Sequence, residues 1–126
     1  MAKRPKLKVF TPAAVARRLA RELPGWGYEA GFIVRVYETH GWKGTMMAAN
    51  AVAHLAETAW HHPDLEASYP RLKVKLQTHE AGGITERDFA LAKKIEEFVL
   101  WRPGAAGGPL EGTPADERYA YLKGDA

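Results

Sequence analysis

The amino-acid sequence predicts an α+β fold, a two-layer sandwich in which helices pack on one face of a four-stranded antiparallel sheet. Two observations indicate it. Apolar residues recur at helical spacing in three segments, and apolar residues alternate with polar ones in segments between them. The resulting order is α-β-β-α-β-β-α, and the short connections within each pair of strands favour antiparallel pairing.

The first helix is predicted to begin at Thr11, because threonine caps helices and the proline that follows it fits the first turn. Val15, Leu19 and Leu23 then recur every four residues and form an apolar stripe. Pro24 and the glycine after it end the helix.

A hairpin is predicted from about residue 26 to residue 39. Its second strand covers residues 32–38, where β-branched and aromatic residues dominate. Phe32, Val34 and Val36 share one face of this strand.

The central helix is predicted over residues 43–61, which are rich in alanine, leucine and methionine. Its buried stripe is expected to contain Val52, Leu55, Ala56 and Ala59. By helical spacing, a separate polar face carries Asn50, His54, Glu57 and His61.

Two more strands are predicted at residues 65–69 and 73–78, followed by a third helix. That helix begins at Thr85 with a pattern that resembles a capping box, in which Asp88 replaces the usual glutamate. The residues predicted on its inner side are Leu91, Ala92, Ile95, Phe98 and Val99.

The 126 residues fit one domain, predicted at residues 1–101. Residues 102–126 read as a linker rich in glycine and proline followed by a polar tail. Three apolar side chains in that tail can dock on the domain or on a neighbouring subunit, namely Tyr119, Tyr121 and Leu122.

Composition excludes several classes of function. The chain has no cysteine, so it has no disulfide, zinc–thiolate site or cysteine nucleophile. No apolar run approaches the roughly 20 residues that a membrane span needs, and the first ten residues lack a signal-peptide core. We therefore expect a soluble cytoplasmic protein.

Basic residues crowd the N-terminus, and the formal net charge of the chain is +3. Such an arm can contact nucleic acid or an acidic partner, but a solvated terminus is the more ordinary interpretation. No recognised nucleic-acid motif accompanies it, so nucleic acid is not expected as a partner. The basic residues of the arm are Lys3, Arg4, Lys6 and Lys8.

Three of the five histidines lie in one compact pattern: His61 and His62 precede a proline, and His79 follows eighteen residues after His61. The pair falls at the end of the central helix and His79 at the end of a strand, and two such ends can form the rim of one pocket. Imidazole exchanges protons near neutral pH. Glu57 is four residues before His61 and can reach its ring, while Asp88 opens the next helix.

Spacing alone leaves other interpretations open. Paired histidines before a proline can stabilise a helix C-terminus, and Asp88 can be only a cap. A metal site needs three or four ligands, adjacent histidines rarely share one ion, and HExxH is absent. Ser68 is the only serine and lacks the Gly-x-Ser-x-Gly setting of a hydrolase nucleophile.

Taken together and in order, the motifs resemble the pterin-4a-carbinolamine dehydratase family, also known as dimerization cofactors of a homeodomain transcription factor. The resemblance is strong over about residues 56–98. The residues that carry it are Ala56-Glu57, His61-His62-Pro63-Asp64, Tyr69, Thr78-His79-Glu80, Gly83-Ile84-Thr85-Glu86-Arg87-Asp88, Leu91-Ala92 and Ile95-Glu96.

The resemblance implies an enzyme without cofactor or metal that removes water from 4a-hydroxytetrahydropterin to give quinonoid dihydropterin. His61 and His79 would then share the acid and base work, with neither role assigned to one of them, and His62 would mainly hold the substrate. Glu57 and Asp88 would orient the imidazoles. The substrate-binding set would also include two residues that flank the bound ring, Thr78 and Glu80.

The resemblance also implies assembly and an alternative role. Family members form homodimers and homotetramers by pairing central helices or sheet edges, and the stretch that contains Met46 and Met47 can supply such a surface. Some members act as non-enzymatic oligomerization or assembly cofactors, so a protein partner remains an alternative. In this chain Trp60 stands where many members carry an acidic residue.

Overall fold

The computed structural model describes residues 7–124, so Lys3, Arg4 and Lys6 of the basic arm lie outside the described residues. The elements follow the predicted order. They are α1 (Pro12–Glu22), β1 (Gly27–Glu29), β2 (Phe32–Glu38), α2 (Trp42–Ala59), β3 (Asp64–Ser68), β4 (Arg71–Leu76) and α3 (Glu86–Val99), with short 3-10 turns at His79–Ala81 and Pro103–Ala106. Within this part of the chain no helix has the length and apolarity that crossing a membrane requires.

The four strands form one open antiparallel sheet in the order β1-β2-β4-β3. In the centre of the sheet, Ile33 pairs with Leu76 and Tyr37 pairs with Leu72. These four side chains project from the same face and join one buried core with residues of all three helices. The predicted two-layer α+β sandwich is therefore confirmed.

The helices cover the face of β2 that carries Ile33 and Tyr37, so Phe32, Val34 and Val36 project from the opposite face. Arg35 also belongs to the covered face and is buried. Its Nε donates to Glu96 Oε1 on α3 at 2.6 Å, and the Tyr37 hydroxyl donates to the same oxygen at 2.6 Å. This shared carboxylate allows a guanidinium beneath the helices, because a buried charge needs a hydrogen-bonded partner.

Both predicted helix starts are confirmed by their caps. Thr11 Oγ1 accepts a hydrogen bond from the Ala14 amide at the start of α1. Thr85 and Asp88 form a complete capping box at the start of α3, in which each side chain satisfies a backbone N–H near the other residue.

Two predictions about buried helix faces are wrong. Phe98 on α3 is 51% exposed, because the core takes the stripe of Leu91, Ile95 and Val99 and leaves Phe98 at its margin. Ala59 on α2 is exposed as well, because the helix ends there, beyond the sheet, at the mouth of a cleft.

Ion pairs join α1 to α3 at the surface. Arg18 binds Glu86 in a fork, with nitrogen–oxygen distances of 2.5 and 3.0 Å. Glu22 binds Lys93 of α3 and Arg21 of its own helix, and these partners lower the pKa of Glu22 to about 2. The two helices are therefore held together by charge where their apolar faces end.

The tail folds back onto the domain, in agreement with the first of the two predicted docking modes. Leu122 is 7% exposed and forms an isolated β-bridge with Thr39 just after β2. The His40 amide donates to the Tyr121 carbonyl at 3.1 Å, while Tyr119 stays exposed. The tail thus extends the sheet beyond the end of β2.

Candidate active site

An open cleft of about 840 Å³ lies between the C-terminal end of α2, the end of β4 and the outer side of α3. All three predicted catalytic histidines line it. The other lining residues are Leu55, Thr58, Ala59, Trp60, Gln77, Glu80, Arg87, Ala90, Leu91 and Lys94.

The end of α2 sets the direction of the histidine pair. Trp60 adopts a left-handed conformation with φ 53° and ψ 47°. Its amide donates to the Glu57 carbonyl, and the His61 amide donates to the Ala56 carbonyl at 3.1 Å. These two bonds form a Schellman motif, which satisfies helix-end carbonyls and turns the chain sharply. His61 is therefore tied by its backbone to α2 while its side chain turns toward α3.

His61 reaches Asp88 across the cleft floor. Its Nε2 lies 2.7 Å from Asp88 Oδ1, and the imidazole is 10% exposed. Asp88 itself is fully buried, because it occupies the third position of α3 and points inward as part of the capping box. The cap and the imidazole thus use the same carboxylate.

The second oxygen of Asp88 is held by the protein itself. Oδ2 accepts hydrogen bonds from Thr78 Oγ1 at 2.7 Å and from the Thr85 amide at 2.9 Å. Because the single hydroxyl proton of Thr78 goes to Asp88, the 2.7 Å contact between the two threonine hydroxyls must be donated by Thr85. Both oxygens of the carboxylate therefore have partners. The group cannot rotate without breaking its bonds to Thr78, the Thr85 amide and His61.

This arrangement selects the tautomer of His61. An ionised Asp88 only accepts hydrogen bonds, so the proton of a neutral His61 lies on Nε2 and the lone pair lies on Nδ1. The ring nitrogen of His61 that can accept a proton from a ligand is therefore Nδ1.

Glu57 supports His62 and not His61, contrary to the contact predicted from its four-residue spacing. Glu57 Oε1 lies 2.8 Å from His62 Nε2, and both side chains are more than half exposed. The spacing argument assumed that the helix continues to His61, but α2 ends at Ala59 and the left-handed residue after it rotates the pair. Each imidazole therefore has its own carboxylate.

His79 enters the cleft from a different element, the 3-10 turn after β4. It begins this turn, and its exposed side chain lines the cleft. Among residues 7–124 no side-chain hydrogen bond involves its ring. Of the three histidines, His79 is the one for which both ring nitrogens remain open to a ligand.

The two remaining predicted residues have different positions. Glu80 lines the cleft and accepts a 2.8 Å hydrogen bond from Arg87, whereas Thr78 is fully buried behind Asp88. Thr78 therefore supports the site from below, and a contact of its backbone with a ligand stays a prediction. Arg87 and Lys94 also line the cleft but were not predicted as site residues, because charged residues on a helix most often indicate a solvated face.

Over the described range, no three His, Asp or Glu side chains converge closely enough to hold a metal ion. The arrangement consists instead of two separate imidazole–carboxylate pairs and one free imidazole around a cleft. Such a set can accept a proton at one point of a ligand and donate one at another.

Comparison with known proteins identifies the family of the chain. The family model described as pterin 4 alpha carbinolamine dehydratase matches residues 8–98. A protein of Aquifex aeolicus, provisionally named pterin-4-alpha-carbinolamine dehydratase, is 53% identical over 83 residues, which are 66% of this chain and 84% of that protein. A Thermomicrobium roseum protein with the same provisional name is 48% identical over 86 residues, which are 68% of this chain and 92% of that protein.

The fold also has a counterpart among solved structures. A crystal structure from Brucella melitensis, described as a transcriptional coactivator/pterin dehydratase, superimposes with a TM-score of 0.66 at 26% identity. The similarity covers 73% of this chain and 99% of the Brucella chain. Family match, relatives and fold agree, and the chain therefore belongs to the pterin-4a-carbinolamine dehydratase family.

Proposed function

We propose that this protein dehydrates 4a-hydroxytetrahydropterin to quinonoid dihydropterin by acid–base catalysis in the histidine cleft. The observation that carries the proposal is that the His61–Asp88 pair and the free His79 belong to one cleft, which both imidazoles line. The family of the chain and the provisional names of its relatives support the choice of a pterin as substrate.

The reaction needs two proton transfers and no change in oxidation state. The bond between C4a and the hydroxyl oxygen breaks, and the oxygen leaves as water after taking up a proton. The electron pair of the N5–H bond forms the C4a=N5 double bond, and the N5 proton passes to a base. One acid that reaches the 4a-hydroxyl and one base that reaches N5 therefore suffice.

The cleft offers groups for both transfers. Nδ1 of His61 has its lone pair free because Asp88 holds the proton on Nε2, so we assign His61 to accept the N5 proton. His79, as imidazolium, would protonate the departing hydroxyl, since its ring also lines the cleft. His62, held by Glu57, would bind the substrate ring.

The test is the rate at which the purified protein dehydrates a synthetic 4a-hydroxytetrahydropterin, followed by absorbance. We expect the wild type to exceed the uncatalysed rate and His79→Ala to lose on the order of 100-fold in kcat, which is the usual contribution of one acid or base. A wild-type rate equal to the uncatalysed rate would contradict the proposal.

His54→Ala is the matched control for this substitution. His54 is an exposed histidine on α2 that does not line the cleft, so its replacement removes an imidazole without touching the site. We expect His54→Ala to keep the wild-type rate. If both variants lost the same fraction of the dehydration rate, the loss in His79→Ala would not be specific to the cleft.

We also propose that the protein works in the cytoplasm as a homo-oligomer that recycles pterins, as the family resemblance implies. The absence of cysteine fits a reducing compartment. A partly exposed apolar stripe on α2 supports self-association; it consists of Trp42, Met46, Ala49 and Ala53. A purely non-enzymatic assembly role is the alternative, and it leaves the two imidazole–carboxylate pairs without a purpose.

A further inference from the structure

Trp60 is the least buried large hydrophobic residue in the part of the chain that the structure describes. It is 73% exposed, although indole has more apolar surface to bury than any other side chain. It lies at the mouth of the cleft, directly before the histidine pair, and it lines the same cavity as all three histidines. Its position offers a flat aromatic surface to anything that enters.

The backbone of Trp60 is strained. Its φ of 53° lies in the left-handed region, where a bulky residue is rare and where helix ends normally carry glycine or asparagine. A glycine would end α2 with the same Schellman motif at lower cost. Strain of this kind concentrates at functional sites, so the indole itself needs an explanation.

Trp60 also contacts one of the proposed binding residues. Its ring and that of His62 meet edge to face, with centroids 4.9 Å apart and planes at 82°. His62 Nε2 also lies 2.8 Å from Glu57 Oε1. The indole and the carboxylate thus both contact the His62 imidazole, which lines the cleft.

We propose that Trp60 is a substrate-binding residue that stacks on the flat pyrimidine portion of the pterin and positions His62 against it. The inference rests on the proposed function, since it takes a pterin as the ligand. C4a of the hydroxylated substrate is tetrahedral, but the amide and guanidine atoms of its pyrimidine ring lie close to one plane. Aromatic side chains bind such planar polar groups by stacking, while neighbouring polar groups bind their edges. Trp60 would stack on the face of this portion, and His62 would contact its edge.

A binding measurement tests this without requiring turnover. Calorimetric titration with 7,8-dihydrobiopterin under reducing conditions would compare the wild type with Trp60→Gly and Trp60→Phe. We expect Trp60→Gly to weaken binding about five- to tenfold, in line with the loss of one stacking contact, and Trp60→Phe to weaken it by less. In the dehydration assay, Trp60→Gly should raise KM more than it lowers kcat.

The same variants separate stacking from damage to the fold. Because glycine relieves the left-handed strain, we expect Trp60→Gly to unfold at a higher urea concentration than the wild type while it binds pterin more weakly. Trp101→Ala is the control, since Trp101 is exposed but lies outside the cleft, and it should bind as the wild type does.

Three results would overturn the inference. If Trp60→Gly binds the pterin as tightly as the wild type, Trp60 does not stack on it, and the proposed dehydration is unaffected. If Trp60→Gly changes only the mass of the assembly, Trp60 belongs to an interface between copies. If the wild type binds no pterin, this inference fails together with the proposed function.

Discussion

At the scale of single residues, the central feature of the site is that the two carboxylate oxygens of Asp88 bind different partners. Oδ2 accepts bonds from Thr78 and from the Thr85 amide, and these hold the start of α3. Oδ1 is left for the imidazole of His61. Cap and orienting group were alternative interpretations of Asp88 in the sequence, and the geometry satisfies both at once.

Asp88→Asn is expected to lower the rate of dehydration far more than it lowers stability. An asparagine whose amide nitrogen faces His61 donates where Asp88 accepted, so His61 would carry its proton on Nδ1 and lose its free lone pair. By analogy with other imidazole–carboxylate pairs, we expect kcat to fall on the order of 100- to 10,000-fold.

Urea unfolding supplies the second measurement for Asp88→Asn. The amide oxygen still caps α3, so the loss in unfolding free energy should stay near ~1–3 kcal/mol, the cost of weakening a buried charge-assisted bond. A loss of activity that only matches the loss of folded protein would show that Asp88 is a cap and nothing more.

The positions of residues near the site could be predicted where regular helix geometry continues. The prediction failed where the helix ends. The capping pattern placed Asp88, and the ends of α2 and β4 placed the three histidines around one cleft. The partner of Glu57 was wrong because a left-handed residue before His61 is not visible in a spacing rule.

At the scale of elements, the chain shows which boundaries local sequence controls. Thr11 and Thr85 cap their helices as expected, and β2 has the predicted bounds. The tail was predicted to dock but could not be placed, because its contacts join the backbone of residues 121–123 to that of residues 38–40, some eighty positions earlier. Backbone pairing at that separation leaves no periodic signal in the sequence.

Gly44 in α2 permits this docking, and its replacement should report on it. A Cβ at Gly44 would lie 2.7 Å from the Tyr121 carbonyl oxygen, so Gly44→Ala should displace the tail and lower the unfolding free energy of the full chain. In a chain that ends at residue 112, the same substitution should raise the unfolding free energy by up to about 1 kcal/mol, because alanine favours helix.

Urea unfolding of these four proteins, with and without the tail and with Gly44 or alanine, provides the comparison. The shortened chain also tests one consequence of the domain proposed at residues 1–101, namely that it folds without residues 113–126. An alanine effect of the same sign in both backgrounds would mean that the tail is not docked against α2 in solution.

At the scale of the whole molecule, the sandwich leaves one flank of α2 partly uncovered. The apolar stripe defined above runs along this flank, in which Met46 and Ala49 are half-buried and Ala53 is exposed. Met47, although exposed, lies about 120° around the helix from Ala53 and so outside the stripe. Burial of such a surface against a second copy of the chain is a common route to a homo-oligomer.

Light scattering of the purified chain is expected to give a multiple of the mass of one chain. Ala53→Glu should lower that mass, because it places a charge where the stripe would be buried between copies. Met47→Glu adds the same charge outside the stripe and should leave the mass unchanged. A wild type with the mass of one chain would contradict self-association.

Because Asp88 both caps α3 and binds His61, the onset of catalytic activity during refolding reports when this part of the protein has folded. A chain in which the first turn of α3 has not yet docked lacks the acceptor for His61, however complete the rest of the sheet is. During refolding, product formation should therefore start only when that turn locks onto Thr78. The substrate would then report on the docking of this turn, whereas fluorescence from the four tryptophans would average it with events elsewhere in the chain.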